Sequence, residues 1–119
     1  MASNTQIVRR YLDAFLAGKV DFDGVRACIA ADFVFEGPMV QAQSAAAFIE
    51  KMKSYGDSME MHGKVHHVVA DGDVVSALYD LQGPSGAMSF AEWYWLEGGK
   101  IARIKLHYDP RPFLELQAG

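Results

Sequence analysis

Between Thr5 and Ala17 the apolar residues Ile7, Val8, Tyr11, Leu12, Phe15 and Leu16 recur every three or four positions, while Arg9, Arg10 and Asp13 take the other side. That spacing predicts an amphipathic helix, with Ser3 or Asn4 as its cap and Gly18 as its stop. A shorter second helix, capped by Asp21 or Asp23, buries Val25, Cys28 and Ile29 and ends near Ala31 and Asp32. Phe33 to Glu36 then reads as a brief strand stopped by Gly37-Pro38. A third helix from about Ser44 to Tyr55 places Phe48, Ile49 and Met52 on one face and ends at Gly56.

Beyond Asp57 the period changes from 3.6 to two. Asp71-Gly72 and Gly98-Gly99 are tight-turn signals, and Gly83-Pro84-Ser85-Gly86 is a looser one. They divide the second half into four strands at roughly 59–70, 73–82, 87–97 and 100–108. Helices first and strands afterwards predict an α+β domain with three N-terminal helices packed on a mainly antiparallel sheet.

Directly paired residues share a face of a sheet. With Asp71-Gly72 as the loop, Val68 joins Val75, His66 joins Ala77, Lys64 joins Tyr79 and His62 joins Leu81. With Gly98-Gly99 as the loop, Trp95 meets Ala102, Trp93 meets Ile104, Ala91 meets Leu106 and Ser89 meets Tyr108, a nearly all-apolar set facing the helices. The reverse carries Tyr94 with Arg103, Glu92 with Lys105 and Phe90 with His107, which reads as charge-paired and partly solvated. A Glu97-Gly98 loop or a bulge would shift this register by one residue.

Composition narrows the function. The chain has 119 residues, half of them hydrophobic, enough for one domain over 1–119 that buries about two-thirds of its extended surface. Its net charge is −4 and its 11 Lys and Arg are scattered, so no basic stripe marks a nucleic-acid partner. No apolar run nears the roughly 20 residues of a membrane span, and the first residues lack a leader layout, so a cytoplasmic protein without a membrane partner is expected. The single Cys28 supplies neither an internal disulfide nor a Cys-rich metal cluster, and reads as a small buried hydrophobe.

A twisted sheet over helices leaves room for a pocket at its wide end. Tyr11 on the first helix, Tyr79, Trp93 and Tyr108 would form aromatic walls, with Met59, Met61 and Met88 as flexible packing or entrance residues. His62, His66 and His67 invite a metal reading, but neighbours in a strand point to opposite faces, and His62 and His66 stand about 13 Å apart along an ideal strand. No metal is expected. His66 is the candidate acid or base of this cluster, with His62 on the same face, and Glu36 is a candidate at the pocket lip. No cofactor is implied.

The segments VRRYLDAFLAGKVDFDGVRACIAADFVFEGP and WYWLEGGKIARIKLHYDPRPF resemble the nuclear transport factor 2-like superfamily, and within it the SnoaL-like proteins related to polyketide cyclases, ketosteroid isomerases and limonene-epoxide hydrolases. The resemblance implies a cone-shaped fold, a strongly curved sheet around helices with a cavity at the open end, and a homodimer through the outer sheet face. It gives Tyr11 the place of a tyrosine that donates a hydrogen bond to a developing oxyanion, and Asp109 the place of an acid or base at the end of the last strand. Gly37 stands where the isomerases carry their catalytic Asp, and Glu92 matches their second oxyanion donor only across a one-residue gap. Two readings follow. In one the protein binds a small apolar organic ligand and performs cofactor-free proton transfer (isomerisation, cyclisation or hydrolysis), with Asp109 or His66 moving the proton and Tyr11 and Tyr79 donating hydrogen bonds. In the other it is a non-catalytic binding or dimerisation module, which the glycine at 37 favours.

Overall fold

The computed structural model describes residues 2–55, 60–83 and 86–118. Gly56, Met59 and the Pro84-Ser85 part of the looser turn lie outside the described residues. Helix α1 (Asn4–Leu16) buries all six positions of the predicted stripe. Ser3 caps it reciprocally: its hydroxyl accepts from the Gln6 N–H at 3.2 Å, while the Gln6 side chain accepts from the Ser3 N–H at 2.8 Å. Asp21 caps α2 (Phe22–Cys28) and Ser44 caps α3 (Ala45–Lys53) in one direction, each side chain accepting from a backbone N–H three residues on.

The chain is α+β, but its helices are interleaved with strands and do not form a block of three at the N-terminus. Strand β1 (Ala17–Lys19) follows α1 directly, β2 (Ile29–Glu36) follows α2, and β3 (Gln41–Ala42) precedes α3. Strand β2 starts four residues before the expected Phe33 because Ile29 pairs with Ile101 of the last strand, so extended pairing ends α2 at Cys28. The long strands β4 (Glu60–Asp71), β5 (Val74–Gly83), β6 (Gly86–Glu97) and β7 (Lys100–His107) follow. A fourth helix, α4 (Arg111–Ala118), was not expected. Its short length and prolines hide it from periodicity, although Pro is compatible with a first helical turn.

The strands form one curved, unclosed sheet in the order β1-β4-β5-β6-β7-β2-β3. Strands β2 and β7 run parallel and the other neighbours antiparallel.

Both long hairpins correct the predicted register. In the first, the loop is Gly72-Asp73, so Asp71 meets Val74 and Ala70 meets Val75. An extra residue at His66 moves the register again, leaving Val68 opposite Ala77 and Val65 opposite Tyr79. In the second, Gly98 and Gly99 do form the loop, with the positive φ angles (55° and 77°) that such a turn requires. Glu97 meets Lys100 and Leu96 meets Ile101, after which Ala102 is an extra residue and Trp95 meets Arg103.

That one residue inverts the expected faces. Phe90, Glu92, Tyr94 and Leu96 turn inward and are buried, while Trp93 faces out at 44% exposure. The physical reason lies in β7. Ile101 and Ile104 are both fully buried although three positions apart, which strict alternation cannot do and a bulge can. Tyr94 and Phe48 are among the largest fully buried side chains of the core.

The register sets up a direct comparison. Tyr94→Ala should lower unfolding free energy by about 3–5 kcal/mol, and Trp93→Ala by under about 1 kcal/mol, in urea titrations of dilute protein. The opposite ranking would restore the uncorrected register.

Candidate functional site

Under the curved sheet, α1, α3 and strands β2, β4, β5, β6 and β7 surround a cavity of about 100 Å³. Its wall is apolar over most of its extent, with Phe15, Phe35, Phe48, Met52, Met61 and Leu106, and carries Tyr11, Tyr79, Tyr108 and Glu92. The inward parity of β6 delivers Glu92. Ala77 lies across from it on β5 and Leu106 on β7, so no cation faces it from either neighbouring strand.

Glu92 is 3% exposed, the one charged residue among those buried in the described chain. Two residues on, along the same face, Tyr94 Oη donates to Glu92 Oε1 at 2.6 Å. The Tyr79 hydroxyl acts on the same carboxylate. Burial is the larger influence: it raises the Glu92 pKa from the ordinary 4.5 to about 7, and the two tyrosine hydrogen bonds hold it back from going further. A carboxyl that gains and loses a proton near neutrality is thereby set in an apolar wall.

Tyr11, Tyr79 and Tyr94 are themselves pushed well above the usual phenol range, by burial first and the Glu92 charge second. They remain hydrogen-bond donors at any ordinary pH. Tyr11 is held edge-on by Phe15 at 5.1 Å and by Tyr94 at 5.9 Å. Among the described residues its hydroxyl makes no hydrogen bond, and it lines the cavity. A run of rings continues outward from the site. Tyr79 stacks on Phe90 at 5.6 Å, Phe90 meets Tyr108 at a tilt at 4.7 Å, and Phe113 of α4 meets the Tyr108 ring edge-on at 5.8 Å.

Of the residues singled out from sequence, the cavity brings together Tyr11, Met61, Tyr79 and Tyr108, along with Gly37 and Glu92. The others stand elsewhere. His66 is the bulge residue of β4 and is exposed, with Nε2 at 2.9 Å from Asp80 Oδ2; Ser89 donates to the other oxygen of Asp80 at 3.1 Å. The hydrogen bond from His66 lowers the Asp80 pKa. Asp109 is about half exposed and accepts from the Arg111 backbone N–H at 3.0 Å and from its guanidinium at 2.7 Å, contacts that hold its carboxyl below the usual range. It opens α4 rather than reaching the cavity wall. Glu36 pairs with Arg103 at 2.9 Å, and that guanidinium lies over the Trp95 ring. His62 is exposed on β4 opposite Ala17, and Trp93 is on the outer face.

Gly37 lines the cavity, where a side chain would be a tight fit. A Cβ there would sit 3.1 Å from the Phe35 ring and 3.4 Å from the Val40 carbonyl oxygen. The described residues contain no group of three or more His, Cys, Asp and Glu side chains placed to hold a metal ion. They also contain no helix long and apolar enough to cross a membrane.

A curved, unclosed α+β sheet packed over helices defines the class, and the sequence agrees. Residues 8–104 match the SnoaL-like domain, and the chain belongs to that family. No curated protein matches the sequence. Among solved structures, an NTF2-like protein of unknown function from Cytophaga hutchinsonii superposes with a TM-score of 0.81 at 22% identity, covering 96% of each chain. A Pseudomonas putida protein provisionally assigned as a polyketide cyclase gives 0.74 at 18% identity, over 97% of this chain and 98% of the other. An LEH-like epoxide hydrolase from M. tuberculosis gives 0.76 at 20% identity, over 94% and 82%. At these identities the likeness is one of fold.

The raised Glu92 pKa carries a stability signature. The carboxyl ionises near 4.5 when unfolded and only at about 7 in the fold. Between those values the native state holds a proton that the unfolded state has released, so stability falls as pH rises. The loss amounts to about 3 kcal/mol and is complete just above pH 7. Glu92→Gln should remove this decline. Parallel stability-against-pH curves for the two proteins would show that Glu92 is not the group responsible.

Proposed function

We propose that the protein is an acid–base enzyme of the isomerase or cyclase type acting on a small organic carbonyl compound, with Glu92 moving the proton and Tyr11 steadying the oxygen. The observation that carries this reading is a buried carboxyl with a pKa of about 7 in the wall of an apolar cavity, together with a phenol in the same wall whose hydroxyl makes no hydrogen bond among the described residues. A general base works best when its pKa lies near the working pH, and a pre-set donor in a dry site favours developing negative charge on oxygen. The family likeness to a polyketide cyclase fold agrees with it.

The proposed step is simple in its balance. Ionised Glu92 takes a proton from the carbon beside a carbonyl. The C–H electron pair moves into the new C=C bond as the carbonyl π pair moves onto oxygen, and Tyr11 donates a hydrogen bond to the enolate. Returning the proton at a different carbon gives an isomer. Attack of the enolate carbon on a second carbonyl of the same molecule gives a ring, and the alkoxide left on that second oxygen takes the proton back from Glu92. Tyr94 and Tyr79 position Glu92 and keep its proton affinity from rising further.

Deuterium uptake by small ketones in D₂O, followed by NMR, tests the reading. The rate should rise with pH and level off above about 7 as Glu92 ionises. Glu92→Gln should lower it by about 100-fold or more, and Tyr11→Phe by about 100- to 1000-fold. A loss in Asp109→Asn or His66→Ala with none in Glu92→Gln would move the chemistry to the strand end or the outer face. No uptake by any ketone would favour the non-catalytic binding module.

For assembly, we propose a homodimer through the outer sheet face, carried by the apolar side chains exposed there. Phe90, Tyr94, Leu96 and Ile101 point into the core, whereas Val69, Leu78 and Trp93 are exposed at 61%, 41% and 44%. Sedimentation at micromolar concentration should give twice the 13.1 kDa chain mass, and Leu78→Lys should return the mass to that of one chain. A single-chain mass for the unaltered protein rejects the dimer.

A further inference from the structure

We propose that the cavity, on the acid–base reading above, takes uncharged single-ring ketones and is closed to fused-ring ones. The first support is size. The space is about 100 Å³, whereas an apolar cavity of about 150 Å³ holds one benzene and pockets for drug-sized molecules run to about 300–1000 Å³. By that measure the space is somewhat smaller than one benzene needs, so a single ring enters as the flexible part of the lining gives way, and a fused pair exceeds it.

The second support is the stiffness of one wall. Phe48 is 1% exposed and touches three other rings: Phe35 at 4.7 Å, Phe33 at 5.2 Å and Phe15 at 6.0 Å between centroids. It cannot swing away to admit a second ring without breaking all three contacts in a close-packed core. The opposite character belongs to Met52 and Met61, unbranched side chains with several rotatable bonds, which set the adjustable part of the lining.

The third support is charge. Among the described residues that line the cavity there is no Lys, Arg or His, and the one acid is Glu92. An anionic ligand would lose its water and meet no countercharge, so the unaltered site favours a neutral one.

Cyclohexanone, benzoate and 1-tetralone separate these requirements. Binding is followed by NMR shifts of the cavity tyrosine and methionine signals at pH 8, and turnover by deuterium uptake. On apolar area alone the two-ring ketone would bind more tightly. Cyclohexanone is expected to bind saturably, with 1-tetralone and benzoate each weaker by about tenfold or more. Met52→Ala should bring 1-tetralone level with cyclohexanone, and Met61→Ala, at a half-buried position, serves the same purpose if the first variant does not fold. The inference is overturned if cyclohexanone does not bind, if 1-tetralone or benzoate binds the unaltered protein as tightly, or if a folded methionine variant gains nothing for 1-tetralone. Cyclohexanone binding without deuterium uptake would remove the acid–base reading and leave the size limit standing. Equal uptake by both ketones would keep the acid–base reading and remove the size limit.

Discussion

The position of one inserted residue decides which side of the longest strands is the inside of this protein. Ala102 is the extra residue of β7, and everything on β6 up to Leu96 is placed by it. Without the bulge the sheet would turn two tryptophans toward the helices and put Glu92 in water beside Lys105. With it, the inward row is Phe90, Glu92, Tyr94 and Leu96, and the charged row Arg103, Lys105 and His107 is exposed. A backbone irregularity with no chemistry of its own thus creates the site, in keeping with the frequent occurrence of bulges near functional residues.

Burying a carboxyl in such a wall is costly unless its oxygens are hydrogen-bonded. The fold meets this with two phenols on neighbouring positions, Tyr94 along the same strand and Tyr79 from β5. Their proton-holding is itself secured by burial. The arrangement is a compromise in which the acid is neither fully neutral nor fully ionised at neutral pH. The hydrogen bonds pull its pKa down and the apolar surroundings push it up, and the second effect is larger.

Much of the scaffold was legible in the sequence. The six apolar positions of α1 are the six it buries, and three caps sit where Ser3, Asp21 and Ser44 are found. Turn residues located each long hairpin to within a residue. What period-two reasoning could not supply was the count of residues between turn and core, because His66 and Ala102 each add one. A trace of the second bulge does exist: Ile104 and Leu106 keep one parity and Ile101 breaks it. Tyr11, Tyr79 and Tyr108 were identifiable as wall residues because rings on a helix stripe or sheet face have few other places to go. Glu92 was visible only through the family resemblance, across a one-residue gap, since a Glu that pairs with Lys in the simplest register reads as solvated. Asp109 drew attention through its place at a strand end, while Arg111 two residues on offered a local explanation that the structure bears out in hydrogen bonds.

The outward placement of Trp93 and Trp95 has an optical consequence. Both indoles of the chain lie on the reverse of the sheet, with Arg103 covering one of them. Their emission is therefore a reporter on whatever packs against that face, separated by the thickness of the sheet from the cavity. A molecule settling among Tyr11, Tyr79 and Tyr108 is read instead through phenol absorbance, so the two sides of the same sheet can be followed in one cuvette at different wavelengths.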